Sequence, residues 1–120
     1  MMTTTNTETV PSTTLQTPRR TETVKFLYLR DPNSKRVVTV ARKVSFDKGI
    51  ITYGYSVSNP LDVFKKELGR RISVGRMEAH PWVVPFNQNN KERPVELVMK
   101  DMLSRADSRT MERILRNGLN

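Results

Sequence analysis

The segment FKKELGRRISVGR, residues 64 to 76, places Lys65, Lys66, Arg70, Arg71 and Arg76 within thirteen positions and repeats the pair Gly-Arg at Gly69-Arg70 and Gly75-Arg76. Ammonium and guanidinium groups at this density attract anions, and the forked guanidinium matches two phosphate oxygens at once. The chemistry on offer is recognition of a polyanion, with no bond made or broken. A residue without a side chain also lets a phosphate backbone or a neighbouring strand come close, so the two glycines need separate accounts. On a helical wheel Leu61, Phe64, Leu68, Ile72 and Gly75 share one arc. Lys65, Lys66, Gly69, Arg70, Ser73 and Arg76 fill the next arc, with Asp62 as its only acid, and Glu67 and Arg71 stand at i,i+4 spacing on the remaining side. The spacing predicts a helix over 60–76 with an apolar packing stripe and a cationic flank. In that reading Gly69 opens space for a polyanion between Lys65, Lys66, Arg70 and Arg76, while Gly75 lets the helix end pack. The competing reading makes Gly69 the C′ residue of a short helix ending at Leu68, with the arginines in a solvated loop.

The charge is regional. Lys and Arg number 21 against 12 Asp and Glu, a net +9. Residues 1–23 hold ten threonines and two prolines, almost no large apolar side chains, and a balanced set of Glu8, Arg19, Arg20 and Glu22. Such a segment cannot offset the entropy of ordering and is expected to be a disordered tail. Residues 24–120 then form a single domain. Within it residues 24 to 76 carry twelve basic and four acidic groups, and residues 77 to 120 carry seven and six. The excess attracts polyanions over about 8 Å at physiological salt. Lys25, Arg36 and Lys43 therefore join Lys65, Lys66, Gly69, Arg70 and Arg76 as candidate nucleic-acid-binding residues.

Other chemistry lacks its residues. There is no Cys and one His, which excludes thiolate nucleophiles and His-rich metal sites. GRRISVGR lacks the Gly-Lys-Ser/Thr ending of a phosphate-binding P-loop, and no Gly-x-Ser-x-Gly is present. No catalysis, metal or cofactor is expected. His80, before Pro81 and near Glu78, reads as structural or exposed. No long apolar run or signal-peptide pattern stands out, so the expectation is a cytoplasmic protein without a membrane partner.

The elements that must position these residues read as α+β. VKFLYLR, RVVTVARKV and IITYGYSV are rich in β-branched and aromatic residues and are joined by DPNSK and FDKG, a three-stranded antiparallel meander over 24–58. Pro32 suits a type I turn and Gly49 a positive φ. Pairing Leu29 with Val37 and Val44 with Ile51 sorts Phe26, Tyr28, Val38, Val40, Val44, Ile51, Tyr53, Tyr55 and Val57 onto one bulky face, expected to be the core. The other face is smaller and partly basic. The four aromatics of the bulky face could instead stack single-stranded bases, but their Val and Ile neighbours favour burial. Ser58 or Asn59 caps the basic helix, with Pro60 in its first turn. HPWVVPFNQNN has room for a short fourth edge strand around Trp82 to Val84, with Trp82 anchoring the loop. Pro94 opens a helical region over 94–117 whose apolar positions run from Val95 to Leu115, with ADSRT as a break into two helices and Gly118 as the stop.

NPLDVFKKELGRRISVGRM resembles a segment of small proteins encoded by tailed bacteriophages, in which a β-hairpin region and an Asn/Ser-Pro step precede a Phe, basic residues, and two Gly-Arg pairs around an Ile. The resemblance covers about twenty residues and singles out Phe64, Lys66, Gly69, Arg70, Ile72, Gly75 and Arg76. It implies a phage origin and a place in the host cytoplasm rather than an activity, since such proteins mostly lack an assigned one. The first expectation is a non-enzymatic accessory protein that binds DNA or RNA. The rival is a protein that binds an acidic surface of a host protein, or a homo-oligomer assembled through the stripe from Val95 to Leu115.

Overall fold

The computed structural model describes residues 23–87, 89 and 91–119. Apart from Thr23, the Thr-rich tail lies outside the described residues. The domain is α+β: strands β1 (Val24–Arg30), β2 (Val37–Ser45) and β3 (Ile50–Val57), helix α1 (Lys66–Ala79), strand β4 (Trp82–Pro85), then helices α2 (Pro94–Arg105) and α3 (Arg109–Leu119). The four strands pair antiparallel in chain order. The meander, the short edge strand and the division of the C-terminal region into two helices follow the sequence reading, and the Ser108 hydroxyl accepts the Met111 N–H at 3.2 Å to start α3.

The first hairpin differs from expectation by one residue. Arg30 pairs with Val37 and Leu29 with Val38. Asp31 closes this hairpin: its backbone N–H donates to the Arg36 carbonyl at 3.0 Å, while its carboxylate accepts from the Asn33 N–H and the Ser34 hydroxyl. Those bonds make Pro32 to Lys35 a four-residue loop. A one-residue slip flips every β1 side chain, so Phe26 and Tyr28 share a face with Thr39 and Ala41, and Leu27 and Leu29 share the other with Val38 and Val40. The second hairpin keeps the expected register, Val44 opposite Ile51, with Gly49 at φ +65°.

Both faces of the sheet are covered. Leu29, Val38, Val40, Ile51, Tyr53 and Val84 pack with Val98, Met99 and Met102 of α2 and Ile114 and Leu115 of α3 in the apolar core. From the apolar stripe of the C-terminal helices, Val98, Met99, Met102, Ile114 and Leu115 are buried in this layer, while Val95, Leu103, Ala106 and Met111 are partly buried against it. Gly118 is inside the last turn of α3 rather than its stop. A Cβ there would come within 2.9 Å of Leu29 Cδ2, so the glycine permits a close approach to β1.

Helix α1 covers the opposite, small face, where Val37, Thr39, Ala41 and Ser56 are buried. Its buried residues are Gly69, Ser73 and Met77, four apart, and not Leu61, Phe64, Leu68 and Ile72. A Cβ on Gly54 would lie 2.7 Å from Met77 Cα and 2.8 Å from the Ser73 carbonyl oxygen. On Gly69 it would lie 2.5 Å from Thr39 Oγ1, whereas Gly75 has nothing within 4 Å. The two glycines therefore exchange the roles expected of them: Gly69 is the packing glycine and Gly75 faces open space. The Ser56 hydroxyl donates to the Gly69 carbonyl at 3.1 Å across this contact. Shape decides the outcome, because only small side chains allow helix and sheet backbones to come so near. The stripe on the wheel counted hydrophobicity and missed that a sheet face of Gly, Ala, Ser and Thr selects a small stripe.

The helix also starts later than expected, at Lys66 instead of Pro60. Ser58 continues the sheet, giving its N–H to the Val37 carbonyl while its hydroxyl accepts the Val37 N–H. The Asn59 side chain accepts the Leu61 N–H at 2.9 Å and caps a turn, not a helix. Residues 60–65 bulge outward, leaving Leu61 and Val63 91% and 86% exposed.

Asp31 joins the ends of the chain's folded part. Arg113 of α3 donates from Nε and Nη2 to its two carboxylate oxygens at 2.9 and 2.8 Å, and this bidentate partner holds the buried carboxyl well below the usual carboxylate range.

Two stability measurements test this arrangement. In urea unfolding, Gly75→Ala gains about 0.5 to 1 kcal/mol from helix propensity, while Gly54→Ala loses about 1 to 3 kcal/mol through overpacking and Gly69→Ala loses stability by pressing on Thr39. Because the Asp31 pKa is depressed on folding, its contribution is complete above the ordinary carboxylate pKa of about 4 and disappears as pH falls below it. Asp31→Asn should accordingly lower stability at pH 7 and flatten the acid limb of the stability–pH curve.

Candidate nucleic-acid interface

Helix α1 divides the cations it carries. Arg70 Nε donates to the Tyr28 hydroxyl at 2.7 Å, its guanidinium carbon stands 5.5 Å from the Phe26 ring centre, and Lys66 Nζ sits 5.0 Å from the Tyr28 ring centre. These contacts follow from the β1 register, which turns Phe26 and Tyr28 toward α1, and from the i,i+4 spacing of Lys66 and Arg70. Phe64 closes the row, edge-on to Tyr28 at 6.2 Å. The result is a cationic ledge along the outer strand, with both basic side chains exposed to solvent. Arg76 takes the other flank, where its Nη1 donates to the Tyr55 carbonyl at 3.1 Å. That carbonyl lies beyond the reach of β4, whose pairing with β3 ends at Tyr53. Gly69 is buried beneath the helix and cannot meet a polyanion, a correction to its expected place in the site.

The remaining candidates are dispersed. Lys43 is on the α1 side of the sheet near the start of β1, opposite Val24, whereas Arg36 closes the hairpin loop just before β2, at the strand's other end. Lys25 pairs with Arg42, which puts it on the α2–α3 face. Lys65 is exposed at the entry to α1, beside a cleft of about 160 Å³ that Val57, Leu68 and Ile72 also line. Arg30 and Lys35 were absent from the sequence-based site. They line an open groove of about 820 Å³ between the first hairpin and the 60–64 bulge, together with the exposed Leu61 and Val63. Their position at the end of β1, continuous with Tyr28, was available only from the register.

The aromatics do not form one platform. Phe26 and Tyr28 face α1, while Tyr53 faces the α2–α3 layer and is fully buried. Burial foremost, then the hydrogen bond that the Tyr53 hydroxyl gives to Asp101 at 2.7 Å, pushes its ionisation far upward. Arg105 completes this network, bonding Asp101 and standing 4.5 Å over the half-exposed Trp82 ring. Trp82 thus anchors through a cation rather than by deep burial. His80 is exposed and ends α1, its N–H donating to the Arg76 carbonyl.

The ion pairs are equally uneven. Among the described residues they are Arg93–Glu96, Lys100–Glu92, Arg105–Asp101 and Arg113–Asp31, every cation coming from residues 93 to 113. Glu67 and Arg71 do not pair. No group of three or more His, Asp or Glu among the described residues could hold a metal ion, and no described helix is long and apolar enough to cross a membrane.

Comparison with protein-family models, curated proteins and solved structures finds no match to this chain. The class defined by its own geometry is an α+β domain with a cationic outer edge.

The ledge itself can be probed through Tyr28. Tyr28→Phe keeps the ring under Lys66 and removes only the hydroxyl that Arg70 uses, so it should cost about 1 kcal/mol or less in chemical denaturation. Tyr28→Ala removes the support of both cations and should cost more.

Proposed function

We propose that the protein binds DNA or RNA through the cations of its β-meander and α1, acting as a small non-enzymatic accessory protein of the phage type in the host cytoplasm. The observation that carries this reading is the separation of paired from unpaired charge. The ion pairs among the described residues draw their cations from α2, α3 and the residue before α2, while the twelve Lys and Arg side chains of residues 24 to 76 take part in none. A surface of this kind accumulates counter-ions that a phosphate backbone can displace. Lys66 and Arg70, held on Tyr28 and Phe26, and Arg30 and Lys35 beyond them provide a row suited to tracking a backbone without reading bases.

A second reading has its own observation. Leu61 and Val63 are almost fully exposed, and Leu68 and Ile72 partly so, beside Lys65 and Lys66. Apolar groups of this size do not serve phosphate contacts. They suit a protein partner with an acidic rim around an apolar centre.

Equilibrium titration of duplex and single-stranded DNA and RNA across a salt series decides between them. Nucleic-acid binding predicts an affinity that falls linearly on a log–log plot with salt, and a slope reduced by about 1 for each cation removed in Lys66→Gln and Arg70→Gln. Absence of binding at low salt, or binding indifferent to salt, sinks the first reading. Capture of an acidic protein from nuclease-treated host lysate, lost in Leu61→Ser/Val63→Ser, supports the second.

A further inference from the structure

On the opposite side of the sheet from Lys66 and Arg70, the end of the β1–β2 ladder and the start of α2 line a half-open cavity of about 420 Å³. Its charged lining is cationic: Lys25 from β1, Arg42 from β2 and Arg93 immediately before α2, beside the neutral Thr23 and with no carboxylate of the described residues among the lining groups. Lys25 and Arg42 are brought together because they are direct cross-strand partners. Like charges placed opposite one another on a sheet repel, and no acid on either strand relieves the pair. Arg93 is partly engaged by Glu96, whose carboxylate accepts the Arg93 backbone N–H at 3.1 Å and approaches Nε at 3.5 Å. Neither Lys25 nor Arg42 takes part in an ion pair among the described residues.

Arg42 is the unusual member. Its Nη1 is sealed from solvent and has no hydrogen-bond acceptor among the described residues. Burial lowers its pKa, as expected for a cation without a counter-charge. Nη1 is not itself open to the cavity, but its unpartnered burial leaves the Arg42 charge uncompensated at the cavity wall, where the negative charge of a ligand would offset it. Apart from Thr23, the rest of the lining is apolar, with Val44 and Val95 on the wall and Phe46 still 37% exposed.

We propose that this cavity is a binding site for an organic phosphate of nucleotide size, its phosphate received by Arg42 between Lys25 and Arg93 and its planar body lying against Phe46 and Val95. Three converging cations suit a doubly charged phosphate monoester better than a single carboxylate. The volume exceeds what a bare phosphate would fill, and the apolar wall gives the remaining space a use. The proposal does not rest on nucleic-acid binding by the α1 ledge, since the two sets of cations are on opposite faces of the sheet.

Isothermal titration of the full chain with nucleoside 5′-monophosphates, the corresponding uncharged nucleosides and inorganic phosphate tests the assignment. Saturable binding of the monophosphate is expected, at least tenfold tighter than inorganic phosphate, with no binding of the nucleoside at the same concentrations. Arg42→Gln should weaken monophosphate binding tenfold or more. Because that position is half-buried, the exposed Lys25→Gln provides a second variant, expected to weaken binding severalfold with an unchanged thermal melt. Lys66→Gln/Arg70→Gln should leave monophosphate affinity intact even where it abolishes nucleic-acid binding, so the two readings fail separately. No monophosphate binding at millimolar concentration, equal affinity for inorganic phosphate, or full affinity in folded Lys25→Gln and Arg42→Gln would each overturn the proposal.

Discussion

At Gly54 the backbone of α1 comes so near to β3 that one added methyl group would meet Met77 Cα and the Ser73 carbonyl oxygen. That approach sets the position of the helix, and the helix sets the positions of Lys66, Arg70 and Arg76. Gly69 against Thr39, Ser56 bonding to the Gly69 carbonyl, and Ser73 and Met77 over Gly54 form one continuous row of close contacts. With Gly69, Ser73 and Met77 turned inward, the side chains on the other faces of the helix have to turn outward. Leu68 and Ile72 are exposed for that reason, and Lys66 and Arg70 are carried to the β1 flank while Arg76 is carried to the other. The contact has a cost: Thr39 Oγ1 is buried without a hydrogen-bond partner among the described residues.

The two layers on either side of the sheet use different physics. The α2–α3 layer is an apolar core supplemented by part-buried polar links, Tyr53 to Asp101 and Asp31 to Arg113, and its helices, with Arg93 just before α2, supply the cations of the ion pairs among the described residues. The α1 layer depends on shape and backbone proximity, with its cations resting on aromatic rings or a carbonyl instead of carboxylates. A cation on an aromatic face keeps its full charge and much of its exposure. Neutral support of this kind organises a positive surface without cancelling it, unlike the ion pairs of the C-terminal helices.

Much of the fold was legible in the residues themselves. The β-branched runs, the turn at Gly49, the strand at Trp82 and the break near Ser108 all rest on local preferences, which tertiary packing here reinforces. The first hairpin was not legible to the same depth. Its register depended on Asp31 closing a four-residue loop with Asn33, Ser34 and Arg36, and a change of one residue moved Phe26 and Tyr28 from the core to the α1 side. The start of α1 was misplaced for a related reason, because Ser58 and Asn59 spent their capping groups on the sheet and on a turn.

For the candidate sites the division is sharper. By itself the sequence determined that residues 24 to 76 carry an excess of cations without thiols or a phosphate-loop motif, because charge and residue type do not depend on folding. It also determined the class and order of the elements, because turn chemistry and hydrophobic period act over a few residues. Only the tertiary structure decided which cations are neighbours. Lys25 meets Arg42 and Arg93 on one face, Lys66 and Arg70 meet Tyr28 and Phe26 on the other, and Gly69 is withdrawn beneath its helix. The physical reason is that the inward face of α1 is chosen by how closely it fits the glycine, alanine, serine and threonine surface of the sheet, a complementarity between distant segments that no local pattern of hydrophobicity contains.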